Sequence, residues 1–466
     1  MSKLFNATQT SMSLTENGAV THGSTLDACL DLFFKIGASR GKNISHNVMK
    51  AYGENPKLTS QILFHARDIR GGSGERQLFR DNVMTVINKE NAFRVMAKTV
   101  EVGRWDDLHV FINTPYQDLA VSITADALME GNALAAKWTP RKGPMFNLLR
   151  KKMGLDPKSL RKMLVNLSNT VEQKMSAGNW SEIDYAKLPS VASARYMTAF
   201  HRNDAVRYEA YKQALSKGET KINAGAVYPY DIVKSLRYGM VNNESVAEAQ
   251  WKALPNYMEG KQTRILPVID VSSSMNCSAG GSSVSCMDVA VSLGLYVAER
   301  NEGVFKDQFI TFDESPKMMQ IKGTFANRIR GIYAAPWGGS TNLQATFQLI
   351  LDAAVKHKLS QEDLPEQLLI FSDMEFNRIS GYNVNKNSTN FEWAKKEFTK
   401  KGYTLPQVVF WNLNARNDNF PVQKDDTGAL LVSGFSPSLL KSVVCGTEYN
   451  PYEMMLKVVD VDRYTI

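Results

Sequence analysis

From Ile265 onward, short apolar runs alternate with amphipathic segments, and that alternation leaves few folds open. The runs are Ile265–Val271, Gln308–Phe312, Gln367–Phe371 and Gln407–Trp411. Helical spacing separates them, from about Asp288 to Glu299, over Gln344–Val355 and over Phe391–Thr399. The first of these helices shows an inward face at Val289, Leu293, Tyr296 and Val297. Short strands separated by single helices predict a doubly wound parallel sheet, buried on both faces, with its ligand sites beyond the carboxyl ends of the strands.

Residues 25–255 read differently. Apolar positions recur at helical spacing (Leu26, Leu30, Phe33; Leu160, Met163, Leu164, Leu167), Gly-containing turns intervene, and β-branched runs are scarce. This predicts an α-helical bundle or solenoid, although no fixed period marks repeats. The character changes around 254–264, between Leu254-Pro255-Asn256 and Lys261-Gln262. The expected organisation is a tail over 1–24, a helical module over 25–262 and an α/β domain over 263–466.

Charge is distributed unevenly between these parts. Residues 1–262 hold 35 Lys/Arg against 25 Asp/Glu, a net +10, and the remainder holds 20 against 22, a net −2, which sum to the chain's +8. A bound polyanion is therefore expected on the first part, where the alternative is only a soluble basic surface. No run is long and apolar enough for a membrane helix. The first forty residues are polar (Asn6, Thr8, Thr10, Ser11, Ser13, Glu16, Asn17) and lack a secretory pattern. Four cysteines, Cys29, Cys277, Cys286 and Cys445, show no CxxC spacing. A cytoplasmic protein is the expectation.

Three loops carry the chemistry of the α/β part. Asp270-Val271-Ser272-Ser273-Ser274 follows the first strand, and Phe371-Ser372-Asp373 ends a later one. Between them Trp337-Gly338-Gly339-Ser340-Thr341-Asn342 leads into a helix. Two carboxylates with several hydroxyls suit one hard cation, Mg2+ or another divalent ion, which accepts neutral oxygens and retains water. The expected ligands are Asp270, Ser272, Ser274, Thr341 and Asp373, with Ser340 as the alternative to Thr341. Asp313-Glu314 reads either as supporting groups or as a structural turn.

On these three loops the chain resembles the von Willebrand factor A domain with its metal-ion-dependent adhesion site. The stretch Asn276–Cys286, with Gly280-Gly281, lengthens the loop after the first motif. Residues 408–440, with Asn412-Leu413-Asn414, Asp418-Asn419-Phe420, Asp425-Asp426-Thr427-Gly428 and Val432-Ser433-Gly434-Phe435-Ser436, look like the tail of that domain in Ro proteins. Tyr228-Pro229-Tyr230-Asp231-Ile232-Val233 is similar to a segment near the end of the TROVE module that precedes it there. Together with Ile69-Arg70-Gly71-Gly72-Ser73-Gly74-Glu75-Arg76, the chain is most similar to an uncharacterised Ro-like group of plants, bacteria and large viruses. The resemblance implies an α-helical module of HEAT-like repeats, a doubly wound von Willebrand factor A domain, and RNA as ligand.

Two basic stretches are candidate RNA contacts. Around the glycine turn, Arg67, Arg70, Arg76 and Arg80 either offer guanidinium forks to phosphate or pair locally, with Arg67, Arg70, Asp68 and Glu75 meeting one another. Lys137-Trp138-Thr139-Pro140-Arg141-Lys142 leads to Arg150-Lys151-Lys152 and on to Lys158, Arg161 and Lys162. Cations beside an aromatic face suit single-stranded RNA, unless Trp138 belongs to the core. The expected RNA-binding set is Arg70, Arg76, Lys137, Arg141, Lys142, Arg150, Lys151 and Lys152. Arg104-Trp105-Asp106-Asp107 and His201-Arg202-Asn203-Asp204 read as internal ion-pair networks. Six scattered histidines, without HExxH or GxSxG, give no sign of an enzyme. The expectation is an RNA-binding scaffold. The alternative is a metal-dependent adaptor that takes an acidic protein ligand.

Overall fold

Polar caps start many of the helices. Asp27 accepts from Leu30 N, Asn55 from Leu58 N, Asn132 from Leu134 and Ala135 N, and Asp156 from Lys158 and Ser159 N, with Pro56 and Pro157 in their first turns. The computed structural model describes residues 12–225, 227–237, 244–260, 264–279, 284–335, 340–381, 385, 387–443 and 449–466. Trp337-Gly338-Gly339, Gly280-Gly281, Cys445, Lys261-Gln262 and the stretch from Asn6 to Ser11 lie outside the described residues.

A short hairpin, β1 (Met12–Leu14) and β2 (Val20–His22), precedes the helical region. That region begins with α1 (Ala28–Ile36), α2 (Ser45–Glu54), α3 (Pro56–Arg67), α4 (Arg76–Asn82) and α5 (Ala92–Val102). It continues through α6 (Gln117–Met129), α7 (Ala133–Trp138), α8 (Pro144–Lys152), α9 (Pro157–Ser168) and α10 (Val171–Ser176). It closes with α11 (Ser190–Asn203), α12 (Ala205–Ser216), α13 (Pro229–Arg237) and α14 (Glu244–Lys252). The helices do not share one core. α6 to α9 enclose their own, around Leu128, Phe146, Leu149 and Leu164. α11 and α12 close on Tyr185, Phe200 and Tyr208, whereas α1 to α5 share a continuous core with the sheet.

The C-terminal part is an α/β domain. β3 (Ile265–Asp270), α15 (Cys286–Arg300), β4 (Gln308–Phe312) and β5 (Met318–Gln320) are followed by α16 (Phe325–Tyr333) and α17 (Leu343–His357). Then come β6 (Gln367–Ser372), α18 (Asn390–Lys400), β7 (Gln407–Asn412), β8 (Ala429–Ser433), α19 (Leu440–Val443) and α20 (Pro451–Val459). The strand order is β5-β4-β3-β6-β7-β8, parallel except for β5, which runs antiparallel to β4 at the edge. Every residue of β3, β6, β7 and β8 is buried, as strands covered on both faces must be. Successive connections leave in opposite directions from the β3–β6 pair, so a crevice opens there beyond the strand ends. Pairing of Ile269 with Phe371 places Asp270 and Ser372-Asp373 side by side at that crevice.

Both chain ends tie the two parts together. The stretch Met12–His22, expected as part of a tail, packs on the α/β domain: His22 exchanges backbone bonds with Phe420, and Thr15 Oγ1 donates to Phe376 O at 2.6 Å. At the other end Arg463 pairs with Asp68, and the Tyr464 hydroxyl donates to the same carboxylate at 3.2 Å.

The glycine turn belongs to the joint between the parts; Arg70 meets Asp68 through its backbone N at 2.9 Å, but the charged side chains of the turn form no ion pair with one another. Arg67 reaches Asp107 at 2.7 Å, Asp68 takes Arg463, and Glu75 takes Arg40 at 2.7 Å. Tyr228 and Tyr230 stack with ring centroids 5.2 Å apart, Tyr230 meets Phe435 edge-on, and the Tyr228 hydroxyl donates to Ser73 O at 3.3 Å. Arg40 lies 4.5 Å from the Phe435 ring centroid. Three separate sequence motifs, around 69–76, 228–233 and 432–436, thus meet in one place. At Gly37 a Cβ would stand 2.3 Å from Ser433 O, which is backbone, so that position accepts only glycine.

Candidate functional sites

The crevice between β3 and β6 gathers the first set. Asp270 is buried: one carboxylate oxygen accepts from Ser272 N at 2.9 Å, the other from Ser372 Oγ at 2.5 Å. The Ser272 and Ser274 hydroxyls are 2.9 Å apart. Burial, then the neighbouring Asp373 carboxylate, pushes the Asp270 carboxyl up to about 7. A buried carboxyl raised by its surroundings and a second carboxylate, beside a pair of hydroxyls, form a donor set of the kind a hard divalent cation takes. Among the described residues, no group of three or more His, Cys, Asp or Glu is arranged to hold a metal, so hydroxyls and water would complete the shell. The residues fit such an ion.

The second loop stands differently. Thr341 Oγ1 donates to Glu375 O at 2.5 Å and accepts from Asn17 Nδ2 at 3.1 Å, while Ser340 Oγ meets Asn377 Nδ2 at 2.5 Å. Both hydroxyls are therefore engaged by the loop that carries Asp373 and by the N-terminal hairpin. Arg416 donates to Asp373 at 2.9 Å and also pairs with Glu16 at 3.3 Å. Burial works against the Arg416 charge, but Asp373, Glu16 and Glu375 outweigh it and hold its pKa above the ordinary value. Arg416, Glu375 and Asn17 went unread in the sequence. Their signal was positional: Arg416 follows β7, and loops after parallel strands converge. Asp313 and Glu314 form a turn in which Glu314 N donates to the Asp313 carboxylate.

A second set lies in the helical region. A cleft of about 570 Å3 is lined by Arg70, Arg76, Arg104, Lys137, Arg195 and Arg463, with Trp105, Trp138 and Tyr196 among them, and Asp68, Glu101 and Glu172 also belong to its lining. The Arg104 guanidinium sits 3.8 Å from the Trp138 ring centroid and is bonded to Asp106, so one face of Trp138 is covered. Among the described residues no carboxylate lies within ion-pair distance of the Arg70, Arg76 or Arg195 side chains. Burial and the charges of Arg104 and Arg80 lower the Arg76 pKa, as crowding of like charges should.

The expected RNA-binding residues therefore divide. Arg70, Arg76 and Lys137 line the cleft. Lys142, Lys151 and Lys152 are exposed outside its lining, and Arg150 contacts Asn147 at 3.5 Å. Arg141 closes the end of α7, donating to Ala136 O at 3.0 Å and to Thr139 O at 2.5 Å. The Arg104–Asp107 segment is the ion-pair network expected, with Arg67 and Arg80 as outside members. His201 instead meets Glu209, and Asp204 meets Arg207.

Comparison with known proteins gives families without an assigned role. Residues 264–462 match the domain of unknown function DUF7788, and residues 15–89 and 145–263 match DUF2828. Over 96% of its length the chain is 30% identical to an uncharacterised protein of Acanthamoeba polyphaga mimivirus, of which it covers 87%. The chain belongs to that protein's family. The shared span takes in the α/β domain and the helical region together, so the relative is similar to this chain as a two-part whole. No helix among the described residues is long and apolar enough to cross a membrane.

Proposed function

We propose that the chain is a Ro-like, cytoplasmic RNA-binding scaffold. In this reading a TROVE-like helical module of HEAT-like repeats holds RNA, and a von Willebrand factor A-type domain carries a divalent-metal adhesion site. One observation supports it above the others: Arg70, Arg76 and Arg195, unpaired among the described residues, line one cleft beside Trp138 and Tyr196. Unneutralised guanidinium groups on a concave surface suit phosphate, and the aromatic edges suit unstacked bases. No catalytic role is proposed.

Replacing Arg70, Arg76 and Arg195 together by alanine should weaken binding of a labelled single-stranded RNA roughly tenfold or more. It should also flatten the slope of log affinity against log salt by about 2, near 0.7 for each lost contact. Fluorescence anisotropy at several salt concentrations reads both quantities. Lys142, Lys151 and Lys152 replaced by alanine should leave the affinity within about threefold. An unchanged slope in the cleft variant would reject the cleft as the RNA path.

The crevice supports the second half of the reading. Asp270, Ser272, Ser274 and Asp373, with Thr341 or Ser340 completing the set, would hold Mg2+ or a similar ion, which supplies an open position for an acidic protein ligand. Asp373 would have to share its carboxylate with Arg416 or release it. Saturating Mg2+, a hundredfold above its Kd, should stabilise the protein by about 2.7 kcal/mol in a thermal melt. The effect should vanish in Asp270→Ala. Equal melting with and without Mg2+ would remove the cation from this proposal and leave the RNA reading standing.

A further inference from the structure

Cys277 and Cys286 flank the lengthened loop that follows the Asp270–Ser274 motif. The chain leaves the motif through a short turn, Ser273–Asn276, and returns at Cys286, the first residue of α15. The two limbs are tied at their base. Ser278 bridges Ser285 in antiparallel pairing, Ala279 N donates to Val284 O at 2.8 Å, and Cys286 N donates to Cys277 O at 3.1 Å. Cys277 and Cys286 are thus the next opposed pair on a two-limbed ladder, with sulfur atoms 3.6 Å apart. Directly opposed residues on such ladders have Cα atoms roughly 4.5–5.5 Å apart, inside the span a disulfide bridges. Closing the bond therefore needs side-chain rotation, with the backbone left where it is.

The two thiols are unequal. Cys277 is partly exposed, and Asn414 Nδ2 donates to its sulfur at 3.1 Å. Cys286 is buried, and its thiol is pushed upward by its bond to Cys277 and by burial. One sulfur is placed to attack and the other to resolve.

We propose that Cys277 and Cys286 form a dithiol that hydrogen peroxide oxidises to a disulfide at the base of the loop beside the metal-site motif. The Cys277 thiolate attacks one peroxide oxygen. An S–O bond forms, the O–O bond breaks, and the leaving hydroxide takes a proton to become water. The Cys286 sulfur then attacks the Cys277 sulfenic acid; the S–S bond forms, the S–O bond breaks, and the departing hydroxide carries off the Cys286 proton as a second water. Overall two thiols and one peroxide give one disulfide and two waters. The bond locks the two limbs three residues beyond Ser274, and it rests on neither the RNA reading nor the metal.

The test treats the purified full chain with hydrogen peroxide, alkylates the remaining thiols after denaturation, and identifies the peptides by mass spectrometry. Cys277 and Cys286 should lose alkylation together, at least about tenfold faster than buried Cys29, whose thiol burial pushes up to about 12. They should appear as one linked peptide, two hydrogens lighter, that dithiothreitol restores. In Cys286→Ala, Cys277 should stop at a sulfenic acid that dimedone traps; in Cys277→Ser, Cys286 should stay reduced. Persistence of both thiols under peroxide, or a bond from either to Cys29 or Cys445 instead, would overturn the proposal.

Discussion

Replacing Glu75 by alanine should lower the folding stability by about 3–5 kcal/mol, the cost of leaving one member of a buried ion pair alone. The Glu75 carboxylate is buried, and Arg40 grips it with two nitrogens, Nη2 at 2.7 Å and Nε at 3.1 Å. Burial raises the Glu75 pKa, and Arg40 opposes that rise. Without Glu75, Arg40 remains beside Phe435 and Tyr230 without its two-nitrogen partner. The double variant Glu75→Leu with Arg40→Met should recover most of the loss, because it removes both charges and keeps apolar volume. Urea unfolding followed by far-ultraviolet circular dichroism and by tryptophan fluorescence checks this. Both probes should shift together, since Arg40 and Glu75 belong to the helical region while Phe435 belongs to the sheet domain. Gly37→Val should act on the same joint by another route, forcing its side chain into the Ser433 carbonyl. A loss under 1 kcal/mol for Glu75→Ala would mean that the joint contributes little to folding.

What was legible in the sequence follows from how far each signal reaches along the chain. The four strands Ile265–Asp270, Gln308–Phe312, Gln367–Ser372 and Gln407–Asn412 were readable within a residue of their ends, because strands buried on both faces are continuous apolar runs. The edge strand Met318–Gln320 is three residues long and largely exposed, and it carries no such run. Ala429–Ser433 was hidden inside a stretch read only for its motif. Asp270 and Asp373 could be placed together because strand ends in a parallel sheet share an edge. Arg416, 43 residues beyond Asp373, had no local mark. The glycine turn shows the same limit. Its charges suggested neighbours, whereas the actual partners Arg40, Asp107 and Arg463 come from elsewhere in the chain. Composition likewise found the basic stretches but could not separate Arg76, which faces a cleft, from Arg141, which closes a helix end.

Acid should weaken the protein through His65, and the direction follows from which state holds the proton. His65 is 1% exposed, set between the Phe33 and Tyr464 rings at 5.7 and 5.5 Å. Among the described residues neither of its ring nitrogens has a hydrogen-bond partner. Burial lowers its pKa from 6.5 to about 4, with Asp68 pulling weakly the other way. The unfolded chain takes up that proton below 6.5, and the folded chain does not until about 4. Between those values the unfolded state binds more protons, so stability falls as the pH drops from 6.5 to 4 and is unaffected by this group above 6.5. The loss amounts to about 3 kcal/mol by pH 4. Asp27 and Asp231, both raised to about 6 chiefly by burial, act in the opposite sense, because their folded forms take a proton first as the pH falls. The measurement is therefore a difference. Chemical unfolding of the wild type and of His65→Phe, at steps from pH 7.5 to 4, cancels the carboxylates and leaves the histidine. Phenylalanine keeps a ring in that aromatic cluster and removes the unsatisfied nitrogens, so at pH 7.5 the two proteins should differ by less than about 1 kcal/mol. Below pH 6 the variant should become progressively the more stable. Parallel curves across the whole range would show that the imidazole is reached by water or by a donor, and that His65 does not hold the joint between α3 and the chain's C-terminal turn in its neutral form.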